Sequence, residues 1–171
     1  RLAVAGLGPA GLVAVQMADA YGAGEVVGID PLPARRELAE RLGAHRTIVP
    51  DADAHPGGRN SDQAFDVALD CTGLKSSIEF LMDRTRNAVA IFGVLRDEVA
   101  FTTRHWARGL SLLGYGSHNQ GAAMKALRLV IEDRLDLRPL TTHTLPLSQY
   151  AQGVDLLRSK EAIKIRYLPW E

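Results

Sequence analysis

A glycine turn after a short apolar run is the feature that most constrains the fold of this sequence. Leu2 to Ala5 are apolar, and Gly6, Gly8 and Gly11 follow them in the pattern G-x-G-x-x-G. The first glycine of such a pattern permits a tight turn, the second lets the backbone approach a pyrophosphate, and the third allows close helix packing. A helix that begins there offers unpaired N–H groups and a partial positive charge to a phosphate. Glycines also recur in ordinary turns, so the pattern needs support from the residues that follow.

An acid at the end of the next predicted strand supplies that support. Residues 25–30 predict a second strand, and Asp30 lies 19 residues after Gly11. In dinucleotide-binding folds an acid about 20 residues beyond the glycines contacts the adenosine ribose. A carboxylate there accepts hydrogen bonds from two ribose hydroxyls and repels a 2′-phosphate, which favours NAD over NADP. A role for Asp30 as a helix N-cap or turn residue is the alternative.

Two arginines follow this acid at the start of the next predicted helix. Arg35 and Arg36 lie five and six residues after Asp30, where either could reach the adenosine ribose or a 2′-phosphate. They are equally explained as solvated side chains of a charged helix.

The composition indicates a water-soluble globular domain and limits its partners. Of the 171 residues 46% are hydrophobic and 23% charged, with 20 basic and 20 acidic side chains. A chain without net charge offers no electrostatic footprint for nucleic acid or an anionic membrane. No apolar run approaches the ~20 residues that span a bilayer, and we expect a cytoplasmic location. The single cysteine, Cys71, cannot form an internal disulfide or a zinc-type C-x-x-C pair.

Apolar runs alternate with helical periodicity along most of the chain. This alternation predicts an α/β fold with a doubly wound parallel sheet, the Rossmann dinucleotide-binding fold, over residues 1–171. Residues 138–171 read as a returning C-terminal segment with a strand at 141–145, a helix at 147–159 and a strand at 162–167. The other predicted strands lie at 2–5, 25–30, 44–49, 65–70, 87–92 and 110–116, and the other helices at 12–21, 33–42, 74–86 and 120–134.

Small residues follow the fourth strand at the end where parallel sheets bind ligands. Cys71, Thr72 and Gly73 come directly after that strand, so we expect them to face a cofactor. Cys71 is better explained as a small buried hydrophobe than as a nucleophile, because no neighbouring base or cation is visible.

Two groups of polar residues in loops were also considered as site residues. Asp51, Asp53 and His55 lie in a polar loop and could be imagined as metal ligands, but acidic residues in such a loop are more often solvated, and no full ligand set is present. His118 follows the sixth strand and is treated as a solvated loop residue.

Taken together, these motifs resemble the nucleotide-binding domain of the medium-chain dehydrogenase/reductase family, which includes the zinc-dependent alcohol and polyol dehydrogenases. The similarity covers essentially the whole chain. It rests on GLGPAG at 6–11, GID at 28–30, DCTG at 70–73, FGV at 92–94, RGLSLLG at 108–114, and THTLPL at 142–147 with GVDLLRS at 153–159.

The resemblance implies a cofactor role for each matched residue. It assigns the pyrophosphate to Gly6, Gly8, Pro9, Ala10 and Gly11. It assigns the adenosine ribose to Asp30, flanked by Arg35, and places Cys71, Thr72 and Gly73 along the cofactor. The nicotinamide side falls to Phe92, Gly93, Val94 and the backbone of Ser111 and Leu113. Lys164 matches a position where an arginine often contacts the pyrophosphate, although a surface lysine is the alternative.

The resemblance further implies an oxidoreductase that moves a hydride between NAD, or less readily NADP, and an alcohol, polyol or ketone. In the family a GroES-like catalytic domain supplies the zinc ligands and the proton relay. That domain is absent from this chain, so we expect no zinc, no catalytic residue and no activity from the chain alone. The family commonly forms dimers or tetramers through the sixth strand. A non-catalytic NAD-binding dimeric module and, less plausibly, a methyltransferase are the alternatives.

Overall fold

The computed structural model describes residues 1–53, 55, 58–116 and 119–171, so His118 lies outside the described residues. The chain divides into two units, Arg1–Leu135 and Asp136–Glu171, and each is described by itself. Within the described residues no helix is both long and apolar enough to cross a membrane.

The first unit is built on a six-stranded sheet in which all pairs are parallel. The strand order is β3-β2-β1-β4-β5-β6. This order reverses between β1 and β4, and the crevice outside the carboxyl ends of strands at such a reversal is where open α/β sheets bind ligands. The strands are β1 (Leu2–Ala5), β2 (Val26–Ile29), β3 (Arg46–Ile48), β4 (Phe65–Asp70), β5 (Thr85–Ile91) and β6 (Ser111–Gly114). The predicted α/β Rossmann-like fold is confirmed.

The helices of this unit follow the strands as the alternating pattern predicts. They are α1 (Pro9–Ala20), α2 (Pro33–Arg41), α3 (Lys75–Arg84), α4 (Thr103–Trp106) and α5 (Gln120–Ile131). A proline stands in the first turn of both α1 and α2, where its missing N–H costs nothing and its fixed φ suits the helix. The prediction started the first helix at residue 12, three residues too late, because it treated the glycine turn as ending at Gly11.

The core joins the central strands to α3 and fixes where the strands end. Strands buried on both faces are expected to be apolar throughout, and all four residues of β2 are buried. The buried residues of this core include Ala3, Ala5, Val27, Ile29, Phe65, Ala68, Ile78, Leu81, Met82, Val89 and Ile91.

The connection between β3 and β4 is anchored by His55, which corrects one sequence interpretation. His55 is 3% exposed and stacks on the Phe65 ring with centroids 5.2 Å apart. Its carbonyl accepts a hydrogen bond of 2.7 Å from Arg84 Nε. The connection was interpreted as a polar surface loop, and the burial of the His55 ring against Phe65 corrects that interpretation at this residue. Asp51 and Asp53 are exposed.

The second unit is a small β-α-β arrangement. A 3₁₀ turn at Arg138–Leu140 leads into β7 (Thr141–Pro146), which pairs in parallel with β8 (Lys164–Leu168). The connection contains a 3₁₀ turn at Leu147–Gln149 and then α6 (Tyr150–Arg158), so the predicted single helix over 147–159 has a tighter first turn.

Candidate cofactor site

The glycine turn brings α1 against the end of β1. Gly6 has φ +85, and a Cβ on Gly11 would lie 1.9 Å from the backbone oxygen of Gly6. Only glycine therefore lets the helix begin so close to the strand. By contrast, no atom of the described residues lies within 4 Å of the position that a Cβ on Gly8 would occupy. The space beside Gly11 is thus filled by protein backbone, whereas the space beside Gly8 is free of described residues.

The first turn of α1 is prepared for an anion. Its N-cap is Gly8, which has no side chain to cap the helix, and Pro9 follows within the first turn. The first turn contains no acidic residue. The N–H groups of a first turn have no partner inside the helix, and with the helix dipole they attract a phosphate.

Asp30 stands beside this turn with its carboxylate almost fully buried. Its Oδ2 accepts a hydrogen bond of 2.9 Å from the Leu7 backbone N–H, and its Oδ1 accepts one of 2.9 Å from Leu32 N–H. The first bond ties the end of β2 to the glycine turn, and the second makes Asp30 a turn residue as well. A carboxylate has about four acceptor positions, so these two bonds leave it able to accept from hydroxyl groups.

The two arginines at the start of α2 have different surroundings. Arg35 Nη1 lies 3.8 Å from Asp30 Oδ2, and the buried Nε of Arg35 has no hydrogen-bond partner among the described residues. Arg36 Nη1 donates to the carbonyls of Asp30 and Pro31, each at 2.9 Å. Arg35 therefore shares the site with Asp30, whereas Arg36 holds the backbone of the turn before α2.

Asp70, the last residue of β4, organises the turn that follows the strand, and no role was predicted for it. It is 0% exposed. Its Oδ2 accepts hydrogen bonds from Thr72 N–H at 3.2 Å and Gly73 N–H at 2.8 Å. Its Oδ1 accepts from Thr72 Oγ1 at 2.7 Å and Ser77 Oγ at 2.9 Å. An acid at the end of a strand, followed two residues later by Thr and then Gly, was the available signal for such a turn.

The turns after β1, β4 and β5 meet at the carboxyl edge of the sheet. A Cβ on Gly6 would lie 2.6 Å from Thr72 Cγ2, and one on Gly73 would lie 1.9 Å from the Val94 backbone oxygen. A Cβ on Gly93 would likewise lie 2.0 Å from the Gly73 backbone nitrogen. The structure therefore brings together the predicted residues of these turns and Asp30.

Cys71 sits within this group as a packed side chain. Burial, reinforced by the charge of Asp70, raises the pKa of the Cys71 thiol to about 12. A thiol with such a pKa is almost wholly protonated at neutral pH and is a poor nucleophile.

Apolar side chains stand exposed at the same edge beyond β5. Phe92 is 46% and Val94 81% exposed, and the Phe92 ring meets Tyr115 edge-on with centroids 5.1 Å apart. Exposed apolar groups beside a polar turn are typical of a surface that binds a ligand or another protein.

Three predicted residues are not part of these turns. Ser111 is the first residue of β6 and pairs with Ala88, so it stands below the carboxyl edge, while Leu113 pairs with Ala90 nearer to it. Lys164 is an exposed residue at the start of β8 in the second unit. Their assignment to the cofactor stays a prediction.

The fold and the glycine turn define a Rossmann-like α/β domain. The sequence model of the zinc-binding dehydrogenases matches residues 9–132, well over half of the chain. The chain belongs to that family, which confirms the resemblance to the medium-chain dehydrogenases and to oxidoreductases of the alcohol dehydrogenase type.

Individual relatives agree with this family. The L-threonine 3-dehydrogenase of Caldanaerobacter subterraneus subsp. tengcongensis is 27% identical, covering 98% of this chain and 51% of that protein. An alcohol dehydrogenase from Thermus sp. ATN1 has a TM-score of 0.82 at 26% identity, covering 98% of this chain and 50% of that one. A putative zinc-binding dehydrogenase from Sinorhizobium meliloti 1021, solved bound to NADP, shares the fold with a TM-score of 0.84 at 24% identity, covering 98% and 52%. The chain thus spans about half the length of these relatives.

Proposed function

We propose that this chain is the cofactor-binding half of an NAD-dependent oxidoreductase that acts on a small alcohol or polyol, or on the corresponding ketone. One observation carries the proposal: Leu7 N–H donates to Asp30 Oδ2 at 2.9 Å, so the glycine turn and the acid flank a single crevice. This crevice lies beside the reversal of strand order, where open α/β sheets bind dinucleotides.

The residues present fit a dinucleotide. The open backbone at Gly8 and the first turn of α1 suit a pyrophosphate, and the spare acceptor positions of Asp30 suit the two hydroxyls of an adenosine ribose. Thr72, Gly73, Phe92 and Val94 follow the strands of the other half of the sheet, which holds the nicotinamide half of the cofactor. When bound, a nicotinamide cofactor supplies the hydride that is transferred.

The contribution of this chain is orientation of the cofactor. The exposed side chains of Phe92 and Val94 offer an apolar surface on which a flat ring can rest. The Asp70 carbonyl accepts hydrogen bonds from Phe92 N–H and Gly93 N–H and so holds this surface in place. We assign no residue here to substrate activation or to proton transfer. Among the described residues no group of three His, Cys, Asp or Glu could hold a metal, and the chain has one cysteine. These residues do not fit a zinc site.

Asp30 supports a preference for NAD over NADP. Its carboxylate would repel a 2′-phosphate at the same position. Arg35, 3.8 Å from Asp30 Oδ2, offsets part of that charge, and NADP is present in the Sinorhizobium meliloti structure. The preference therefore depends on Asp30, which can be tested directly.

The test is a calorimetric titration of the 171-residue chain with NADH and with NADPH, repeated on Asp30→Ala. We expect saturable binding that favours NADH, and in the variant a weaker NADH affinity, by about tenfold, with a smaller ratio between the two cofactors. The ratio is informative because loss of folded protein weakens both affinities equally. Asp53→Ala, which removes an exposed acid from the β3–β4 connection, should behave as the unsubstituted chain. Failure to bind either cofactor would contradict the proposal, and an unchanged ratio in Asp30→Ala would contradict the ribose assignment.

We further propose that two copies of the chain associate through β6 and that the protein works in the cytoplasm. β6 is an edge strand of the sheet, and Leu112, Leu113 and Tyr115 are 36%, 54% and 53% exposed. Apolar residues on an unpaired edge favour pairing with another strand.

A further inference from the structure

Asp70 is a carboxylate that the fold keeps fully buried. Its four side-chain hydrogen bonds come from two backbone amides and two hydroxyls, all within 3.2 Å. Burying a carboxylate is costly unless its acceptor positions are filled. The four donors around Asp70 fill the acceptor positions of its carboxylate. The carboxylate therefore orders the neighbouring groups and makes no contact with water.

That arrangement joins two turns of the candidate site. The carboxylate holds the turn after β4 through Thr72 and Gly73. The carbonyl of the same residue accepts from Phe92 N–H at 2.8 Å and Gly93 N–H at 3.0 Å, which holds the turn after β5. The side chain of Asp70 therefore fixes the turn after β4, and its main-chain carbonyl bonds the neighbouring turn after β5.

These two turns belong to one half of the sheet. A doubly wound sheet binds a dinucleotide with each half holding one mononucleotide. Asp30 at the end of β2 defines the adenosine half, so β4 and β5 serve the nicotinamide half. Apart from Ser77 of α3, the groups described above as donating to Asp70 all lie in the turns of this second half.

We propose that Asp70 is a positioning residue for the nicotinamide half of the cofactor, its carboxylate acting on the turn that follows β4 and, through the packing of Gly73 on Gly93 and Val94, on the turn that follows β5. The inference rests on the proposed function. A buried acid could support the whole fold, or it could place one half of the bound ligand. We assign the second role to Asp70.

The test compares NADH with ADP-ribose, which has the same adenosine half and pyrophosphate but no nicotinamide. Asp70→Asn keeps the shape of the side chain and replaces one acceptor by an N–H donor, which faces donors already in place. We expect NADH to bind at least about tenfold more weakly in this variant and ADP-ribose to change by less than about threefold. A role in stability alone would weaken both ligands by the same factor, because both require folded protein.

Asp66→Asn is the matched control. Asp66 lies on the same strand at its opposite end and pairs with the N-terminal amine and with Arg86. The control removes a charge from β4 without touching the turns, so both affinities should stay as they are.

Ser77→Ala provides a second, milder variant. It removes one donor to Asp70 Oδ1 and should shift the NADH to ADP-ribose ratio in the same direction by a smaller factor. If melting curves show that Asp70→Asn does not fold, Ser77→Ala becomes the test. An unchanged ratio of NADH to ADP-ribose affinity in Ser77→Ala then overturns the proposal.

The remaining outcomes separate the two proposals. If the unsubstituted chain binds NADH but Asp70→Asn loses both ligands equally, or loses neither, the positioning role of Asp70 is overturned and the proposed function stands. If the unsubstituted chain does not bind NADH, the proposed function fails and the role of Asp70 fails with it.

Discussion

At the scale of single residues, two glycines of one motif have opposite surroundings. A Cβ on Gly11 would collide with the backbone oxygen of Gly6 at 1.9 Å, whereas Gly8 faces no atom of the described residues within 4 Å. Gly11 is therefore required for folding. Gly8 is required only if a ligand approaches it.

We predict that Gly11→Ala and Gly8→Ala separate stability from binding. Gly11→Ala should lower the free energy of unfolding by about 2 kcal/mol or more, since backbone cannot move aside as a flexible side chain can. Gly8→Ala, at an extended N-cap with φ −78, should lower it by less than about 1 kcal/mol. The same Gly8 variant should weaken NADH binding by about tenfold or more, because its methyl group occupies the path of the pyrophosphate.

Urea unfolding curves and NADH titrations on the two variants check this prediction. Equal losses of stability in both would show that the open face at Gly8 is structural. Undiminished NADH affinity in Gly8→Ala would argue against the pyrophosphate assignment.

The residues that sequence reasoning found and missed differ in the range of their interactions. The placement of the glycines and Asp30 could be predicted because their spacing within one strand-turn-helix-strand unit fixes it, while their cofactor roles stay predictions. Asp70 and His55 were missed because their roles depend on contacts formed by folding: Asp70 with the turn before α3 and with Ser77, and His55 with Phe65 and Arg84. A histidine in a polar loop carries no local sign that an aromatic core residue will cover it.

At the scale of elements, the sequence located most strand starts and helix starts to within two residues, and the start of α1 is an exception. β4 was predicted at 65–70 and is found there, because Phe65 and the apolar residues 67–69 stand between a polar loop and the turn at 71–73. α1 begins earlier than predicted because its first turn consists of motif residues without apolar periodicity. α4 falls in the segment 96–108, where four helical residues are too few to show a period.

The β3–β4 connection depends on His55 and gives the protein a pH-sensitive element. Burial lowers the pKa of His55 below its ordinary value of 6.5, and the nearby charges of Arg46 and Arg84 lower this pKa further. Its buried Nε2 has no hydrogen-bond partner among the described residues. A protonated ring would thus add an unpaired charge between Phe65 and Arg84.

We predict that stability falls as the pH falls through 6.5 toward the lower pKa of folded His55. In that window the unfolded chain binds a proton that the folded chain does not bind, so this contribution to stability is complete above pH 6.5 and declines below it. The slope from this one group is at most about 1.4 kcal/mol per pH unit. His55→Phe and His55→Gln should both lack this part of the slope.

Urea unfolding at several pH values between about 5 and 8 measures the difference. The gap in unfolding free energy between the unsubstituted chain and each variant should be constant above pH 7 and should change only below it. A constant gap over the whole range would show that His55 does not titrate differently on folding.

At the scale of the whole molecule, the two edges of the sheet differ in a way that favours one for association. The β3 edge carries Arg46, whose Nε donates to Glu25 at 2.7 Å, and a charged residue on an edge opposes strand pairing. The β6 edge reads Ser-Leu-Leu-Gly without a charge. Its exposed leucines gain by pairing with a second copy, because the pairing fills free backbone groups and covers apolar surface.

We predict that the chain is dimeric in solution and that Leu112→Lys makes it monomeric. Light scattering coupled to gel filtration should give twice the chain mass for the unsubstituted protein and the chain mass for the variant, since a lysine placed against its symmetry mate repels and remains hydrated. Val49→Lys is the control: Val49 is 44% exposed and follows β3 at the other edge, so this variant should stay dimeric. A dimer that survives Leu112→Lys and dissociates in Val49→Lys would place the interface at β3, and a monomeric unsubstituted chain would contradict association of the chain by itself.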